Sequence, residues 1–173
     1  MEPLPRGSFP TLITPMLEKD LSIDYPALDV LLEWQLDSGS VGIFSPCQSS
    51  EMFNLTQPER IALAKRVKET VAGRAAHVAV GNFGAVGDVA AQAASINEMA
   101  PHCDVVVMVV GNIAPQSASD AVWQTNVEQL LALTPGVRLG LYECPCPYHR
   151  CVRVRVRVRV RVRVRVHRRR PRA

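Results

Sequence analysis

Polar and thiol side chains gather directly after the short apolar runs of this chain. The run at residues 41–44 is followed by "SPCQSSE", which contains Cys47, Gln48 and Ser49, and a later run ends in "LYE" with Tyr142. A thiol can act as a nucleophile, an amide can donate hydrogen bonds, and a hydroxyl group can relay a proton. Because parallel α/β folds carry their chemistry at the carboxyl ends of strands, these positions are the first candidates for a functional site.

Cysteine chemistry has little support elsewhere in the sequence. No histidine is evidently paired with Cys47, so we do not expect it to act as a nucleophile. A second group, of three cysteines and one histidine, has the spacing C-x-C-x2-H-x-C. No other paired cluster accompanies it, and we expect no metal site there. Its members are Cys144, Cys146, His149 and Cys151.

The elements that must position these residues alternate along the chain. Five short apolar runs begin near residues 9, 41, 77, 104 and 138. Between the first two runs, four leucines from residues 28 to 36 share one helical face. A second helix is predicted at "TQPERIALAKRVKETV", where Thr56, Pro58 and Glu59 form a start signal. Further helices are predicted over residues 88–99 and 117–133. Continuous apolar strands joined by helices predict a parallel sheet with covered faces.

Several residues receive an ordinary structural interpretation. Trp34 and Trp123 fall on amphipathic helices, where we expect core packing, and His77 and His102 are interpreted as strand-edge and loop residues. The three glycines of "GNFGAVGD" have the spacing G-x-x-G-x-x-G. That spacing is wrong for a dinucleotide fingerprint and predicts a tight strand-to-helix turn.

Two architectures fit the order of the predicted elements. One is a five-stranded doubly wound sheet, which would be complete at this length, and the other is the first half of an eightfold (β/α) barrel. The pattern alone favours the sheet slightly. The motifs along the chain reverse that preference.

Five motifs in a fixed order distinguish the two architectures. They are a first run ending in Thr-Pro, an "ID-Y-AL" helix start, Glu-x-x-x-Leu-Thr-x-x-Glu-Arg at residues 51–60, a glycine-bearing third strand end, and Leu-Tyr-x-x-Pro at residues 141–145. Over residues 8–150 the chain therefore resembles the dihydrodipicolinate synthase and N-acetylneuraminate lyase family of pyruvate-dependent class I aldolases. The resemblance implies about four and a half β/α units of a TIM (β/α)8 barrel for residues 1–150. In the intact family the barrels assemble as homo-oligomers.

The resemblance also implies roles for individual residues. A Gly-Thr-Thr-Gly-Glu loop binds the pyruvate carboxylate in the family, and residues 47–51 match it, with Gln48 and Ser49 as the substrate-binding pair. Gln48 can donate a hydrogen bond but cannot relay a proton as a hydroxyl does. Tyr142 matches the tyrosine that carries protons to and from the Schiff base. The family's second tyrosine has no counterpart in "VVGNIAPQ". The implied substrate is a small 2-oxo acid, with no cofactor and no metal.

The Schiff-base lysine of such an aldolase is missing from this sequence. The family places it on the sixth strand, whereas the lysines here are Lys19, Lys65 and Lys68. We interpret Lys65 and Lys68 as residues of a solvated helix face. Arginine cannot replace the lysine, because its guanidinium stays protonated. The expectation is a lyase fold that stops before its catalytic lysine and is inactive as written.

The two signs of charge are segregated along the chain. Residues 1–150 contain nine Lys and Arg against sixteen Asp and Glu, a net charge of −7, whereas residues 153–172 contain eleven arginines and no acid. The repeat "VRVRVRVRVRVRVRV" fits a strand with one apolar and one cationic face, but unvarying repetition is typical of low-complexity sequence. We interpret residues 151–173 as a translated simple repeat outside the fold. The alternative function is a non-catalytic fragment whose tail binds polyanions without selectivity.

The rest of the sequence predicts a cytoplasmic protein without a membrane anchor. The amino-terminal residues lack the apolar stretch of a signal peptide, and the longest apolar run, residues 105–114, is too short to span a bilayer. The five cysteines are then expected to stay reduced.

Overall fold

The computed structural model describes residues 3–143. Eleven helices, turns and strands follow one another in that range. In chain order they are α1 (Tyr25–Asp37), β1 (Gly42–Phe44), a 3₁₀ turn (Gln48–Ser50), α2 (Gln57–Val71), β2 (Ala76–Val80), α3 (Val89–Met99), a second 3₁₀ turn (Ala100–His102), β3 (Val105–Val109), the short α4 (Val110–Ile113), α5 (Asp120–Leu133) and β4 (Leu139–Tyr142).

The four strands form one parallel sheet in the order β1-β2-β3-β4. Each strand pairs with the next along the chain, with Phe44 opposite Val78, Val78 opposite Val105, and Val109 opposite Tyr142. Parallel strands joined by helices confirm the predicted α/β class. All four strands end at the same edge of the sheet, so the loops that follow them lie together.

The first predicted strand is reduced to a single bridge. Thr11 pairs with Phe44 in parallel, and the Leu12 amide donates to the Phe44 carbonyl at 3.1 Å. The Phe44 amide in turn donates to the Pro10 carbonyl at 3.0 Å. Pro10 and Pro15 cannot donate backbone hydrogen bonds, which limits the ladder on either side of the bridge. The segment still lies alongside β1, as a fifth strand would.

The helices begin where side chains can satisfy their first amide groups. The Asp24 carboxylate accepts from the Ala27 amide at 3.0 Å, and Asp88 does the same for Ala91 at 3.0 Å. At α2 the Glu59 carboxylate accepts from both the amide and the hydroxyl of Thr56, at 2.7 and 2.6 Å. These contacts confirm the predicted helix start at Thr56.

The apolar core has two clusters that share the sheet. One cluster joins β1 to α1 and α2 through side chains such as Leu28 and Leu63. The larger one joins β2 and β3 to α3 and α5 and includes Trp123, which is 3% exposed, as predicted. Trp34 was expected in the core but is 65% exposed, because it lies on the face of α1 away from the leucines that meet the sheet. No helix within residues 3–143 has the length and apolar character needed to cross a membrane.

The sheet is strongly curved. In a flat sheet β1 and β4 would lie about 14 Å apart, since neighbouring strands are about 4.8 Å apart. The rings of Phe44 on β1 and Tyr142 on β4 nevertheless meet edge to face, with their centroids 5.2 Å apart. Both side chains therefore point into the concave face, as in part of a barrel.

Candidate functional site

The candidate site lies at the carboxyl ends of the four strands. Tyr142 is the last residue of β4, and its ring packs against Phe44, which directly precedes the loop of residues 45–51. The structure thus brings the tyrosine and the loop to the same end of the concave face. This placement agrees with the position that sequence reasoning gave to both.

The loop after β1 is held in place by Ser50. The Ser50 hydroxyl donates to the Leu12 carbonyl at 2.5 Å and accepts from the Cys47 amide at 3.2 Å, while Thr14 donates its hydroxyl proton to the Ser50 carbonyl at 2.8 Å. Ser50 is fully buried. Ser50 therefore ties the loop to the first segment of the chain, and sequence reasoning missed this role.

The two predicted binding residues lie on the turn that Ser50 anchors. Gln48 is half-buried and Ser49 is exposed, and both belong to the 3₁₀ turn after β1. The turn ends at Glu51, which has a left-handed backbone with φ of 55°. Such a turn presents successive side chains in different directions, and it places Gln48 and Ser49 next to the strand ends.

Cys47 is placed where it cannot act as an exposed nucleophile. Its side chain is fully buried, and its sulfur lies 3.3 Å from the Ser50 hydroxyl. The interpretation that Cys47 is not catalytic agrees with this burial. Within residues 3–143 no group of three or more His, Cys, Asp or Glu side chains could hold a metal ion. The cysteine and histidine cluster of residues 144–151 lies outside the described residues.

His77, interpreted as a strand-edge residue, is the second residue of β2 and is buried behind the loop. It is 1% exposed, and its Nε2 donates to the Ser45 carbonyl at 2.6 Å. Its Nδ1 has no hydrogen-bond partner among the described residues. Burial lowers the pKa of His77 to about 4, and the backbone of Ser45 and His102 and the charge of Asp104 offset only part of that effect. His77 is therefore a neutral group that supports the start of the loop.

A buried amide pair joins the ends of β2 and β3 to α3. The Asn82 side chain donates to the Gln92 carbonyl oxygen at 3.1 Å and to the Val109 carbonyl at 3.2 Å, and it accepts from the Val109 amide at 2.8 Å. Gln92 also donates to Ala85 and Asn112. Asn82 and Gln92 are 1% and 0% exposed. They fix the loop after β2, where the predicted glycine-bearing strand-to-helix turn is confirmed.

The three lysines lie away from the concave face. Lys19 and Lys65 form exposed ion pairs with Asp20 and Glu69, at 3.8 and 4.0 Å, and Lys68 donates to the Pro101 carbonyl at 2.9 Å. The predicted solvated face of α2 is confirmed. All three side chains are exposed, so none of them lies in the desolvated pocket that nucleophilic attack on a carbonyl requires.

A curved parallel sheet with its loops at the carboxyl edge defines the chain as part of a (β/α)8 barrel. The model of the dihydrodipicolinate synthetase family matches residues 4–111. The chain belongs to that family. It is 41% identical over 69 residues to the 4-hydroxy-tetrahydrodipicolinate synthase of Polynucleobacter asymbioticus, a match that covers 40% of this chain and 22% of that protein. The corresponding enzyme of Anaeromyxobacter sp. (strain K) is 42% identical over 73 residues, covering 42% of this chain and 24% of the relative.

Solved structures agree on the fold. Dihydrodipicolinate synthase from Bacillus anthracis has a TM-score of 0.69 at 21% identity, and the match covers 82% of this chain and 47% of that one. The enzyme from Acinetobacter baumannii, solved in complex with pyruvate, has a TM-score of 0.69 at 19% identity and covers 80% of this chain and 46% of that one. The chain therefore spans about a quarter of the curated relatives it matches and just under half of these solved structures.

Proposed function

We propose that residues 1–150 carry the 2-oxo acid side of a dihydrodipicolinate synthase-like lyase site. In this proposal Gln48 and Ser49 bind the carboxylate of pyruvate or a related acid, and Tyr142 carries a proton at its phenol oxygen. The intact reaction is an aldol condensation or cleavage through a Schiff base. The observation that carries the proposal is the contact between Tyr142 and Phe44, with ring centroids 5.2 Å apart, because Phe44 directly precedes the loop.

Hydrogen bonding explains how the loop would hold a carboxylate. Gln48 offers an amide donor and Ser49 a hydroxyl donor, and both lie on a turn anchored by the buried Ser50. A hydrogen bond to a charged acceptor contributes about 1.5–3 kcal/mol. A relative from Acinetobacter baumannii has been solved with pyruvate, which supports a small 2-oxo acid as the ligand.

The same proposal assigns no Schiff base to this chain by itself. Imine formation needs an unprotonated amine in a desolvated pocket, and Lys19, Lys65 and Lys68 all lie at the surface. In the intact lyase a lysine from sequence beyond these 173 residues would supply the amine. Pyruvate would then bind here reversibly, without a covalent step.

We expect no covalent addition when the chain is treated with pyruvate and sodium borohydride, because no lysine is placed to attack the ketone. Intact-mass spectrometry after trapping measures this directly, with a complete family member as the positive control.

In parallel, an NMR titration with pyruvate should shift the backbone amide signals of Gln48 and Ser49. Replacing Ser49 with alanine should weaken that binding about tenfold.

Ser38 provides a matched control for the titration. It is exposed and lies between α1 and β1, at the amino ends of the strands and away from the candidate site. Among the described contacts its hydroxyl bonds only to the Trp34 carbonyl. The Ser38→Ala variant should bind pyruvate as the wild type does. A reduced imine on any lysine, or shifts that are the same in Ser49→Ala and wild type, would refute the proposed role of this chain.

A second candidate function follows from the segregated charge. Eleven arginines lie in residues 153–172, and no aromatic residue occurs in residues 153–173 to stack on a base. Such a segment would bind single-stranded RNA electrostatically, and we expect the affinity to fall by about 10³-fold or more between 50 and 200 mM salt. Fluorescence anisotropy with RNAs of two unrelated sequences measures both the salt slope and the selectivity. Affinity that survives high salt would exclude this second function.

A further inference from the structure

The chain that leads from the candidate site to α2 has an anchor of its own at Met52. The Met52 side chain is fully buried, and its amide makes only a long hydrogen bond, of 3.4 Å, to the Cys47 carbonyl. Its carbonyl, in contrast, accepts from the Nε of Arg60 at 2.6 Å. Within residues 3–143 no other donor reaches that carbonyl. The position of this part of the loop therefore depends on Arg60, the fourth residue of α2.

The guanidinium of Arg60 also packs on an aromatic ring. Its central carbon lies 4.1 Å from the centroid of the Phe83 ring, well within the range of a cation–π contact. Phe83 is 8% exposed and belongs to the loop after β2, where its amide donates to the Gly81 carbonyl at 2.9 Å. A planar guanidinium can donate along its edge while its face stacks on a ring. Arg60 thus joins the loops that follow two neighbouring strands.

We propose that Arg60 is a positioning residue of the 2-oxo acid site: by holding the Met52 carbonyl it fixes the turn Gln48–Ser50. Ser50 ties that turn to the first segment of the chain, and two residues further on Arg60 ties the same loop to α2. The stack on Phe83 in turn holds the guanidinium in place. The inference rests on the proposed function, because its ligand is the same carboxylate. Arg60 acts through the turn and does not touch the ligand.

Amide hydrogen exchange in the full chain tests the positioning without any ligand. The amides of Glu51 and Met52 donate to the carbonyls of Gln48 and Cys47, at 3.0 and 3.4 Å, so their exchange rates report how often the turn opens. In Arg60→Met both rates should rise about tenfold or more, because the turn loses a hydrogen bond from a charged donor. Methionine retains a long apolar stem, so little packing is lost.

Pyruvate affinity in the same variant adds a functional measurement. In an NMR titration Arg60→Met should bind pyruvate about tenfold more weakly than the wild type, because the turn must be ordered at the expense of binding. Phe83→Leu should weaken binding through the same contact. The double variant should therefore bind about as weakly as Arg60→Met alone. Additive losses would overturn the link through Phe83.

Arg74 provides the matched control beyond the other end of α2. Its guanidinium pairs with Glu33 at 2.6 Å and donates to the Thr70 carbonyl at 2.7 Å. Arg74→Met also removes charged hydrogen bonds, yet it should leave both pyruvate affinity and exchange at the turn unchanged. A loss of affinity in Arg74→Met equal to that in Arg60→Met would reduce the role of Arg60 to general stability and overturn the inference.

The two measurements separate the possible failures. Unchanged exchange at Glu51 and Met52 in Arg60→Met would overturn the positioning role, even where the wild type binds pyruvate. An equal rise at the Val106 amide, which bonds to Arg138 across β3 and β4, would mean that the whole sheet is loosened and would also overturn it. Absence of pyruvate binding in the wild type would instead refute the proposed function, and with it the ligand of this inference.

Discussion

Replacing Asn82 with leucine should lower the free energy of unfolding by about 3–5 kcal/mol, the largest effect expected of a single substitution in this chain. The Asn82 side chain forms three hydrogen bonds, two with the backbone of Val109 and one with Gln92. Leucine has a similar volume but leaves these buried partners unsatisfied. Each orphaned group costs about 1–3 kcal/mol in a site that water does not reach. Urea unfolding followed by circular dichroism measures the change.

Asn97 supplies the matched control for this substitution. It lies on α3, is exposed, and donates a single hydrogen bond to the Leu133 carbonyl at 3.1 Å. Asn97→Leu should cost less than about 1 kcal/mol, because water can replace the lost partner. Equal effects at the two positions would show that the buried network at the ends of β2 and β3 does not stabilise the fold. A loss at Asn82 alone would identify that network as the support of the candidate site.

Acidification should destabilise the protein between pH 6.5 and pH 4 through His77. The pKa of His77 is about 4 in the folded chain, against an ordinary value of 6.5. Between these values the unfolded chain binds a proton that the folded chain does not, so stability falls as the pH falls. The contribution is fully present above pH 6.5, and the loss by pH 4 is on the order of 3 kcal/mol. Below pH 4 both states bind the proton and this loss stops.

Glutamine at position 77 separates this effect from other titrations. Its amide can donate to the Ser45 carbonyl but carries no titrating group, so His77→Gln should remove the pH slope between pH 6.5 and 4. His102→Gln should retain it. The carboxyl groups of Asp29, Glu33 and Glu59 have their pKa lowered chiefly by hydrogen bonds to Arg66, Arg74 and Thr56. The stability that these three carboxylates contribute is lost only as the pH falls below their usual titration range and they become protonated. An unchanged slope in His77→Gln would refute the assignment.

Local patterns in the sequence predicted most of the fold. The start of α2 followed from Thr56, Pro58 and Glu59, because the capping contacts form within one turn and need no distant partner. The strands followed from uninterrupted apolar runs such as "DVVVMVV", since a buried parallel strand has no polar face. The first strand was overestimated, because its two prolines limit the hydrogen bonds that the apolar pattern predicts.

The candidate site was predictable only in part. The positions of Gln48, Ser49 and Tyr142 followed from motifs that come directly after strands. The roles of Ser50, His77 and Asn82 did not, because each depends on a partner at least 27 residues away in the chain. The run "NFG" after β2 gave the only local signal, a polar residue at a strand end.

By itself, the sequence determined the order of the elements, the absence of a lysine in any apolar segment and the segregation of charge. These properties depend on residue types and on spacing along the chain. The tertiary structure decided that Phe44 and Tyr142 meet, that Trp34 faces water, and that His77 is buried and neutral. Each of these depends on the curvature of the sheet and on which helix covers which face, because burial and strand pairing arise between segments distant in the sequence.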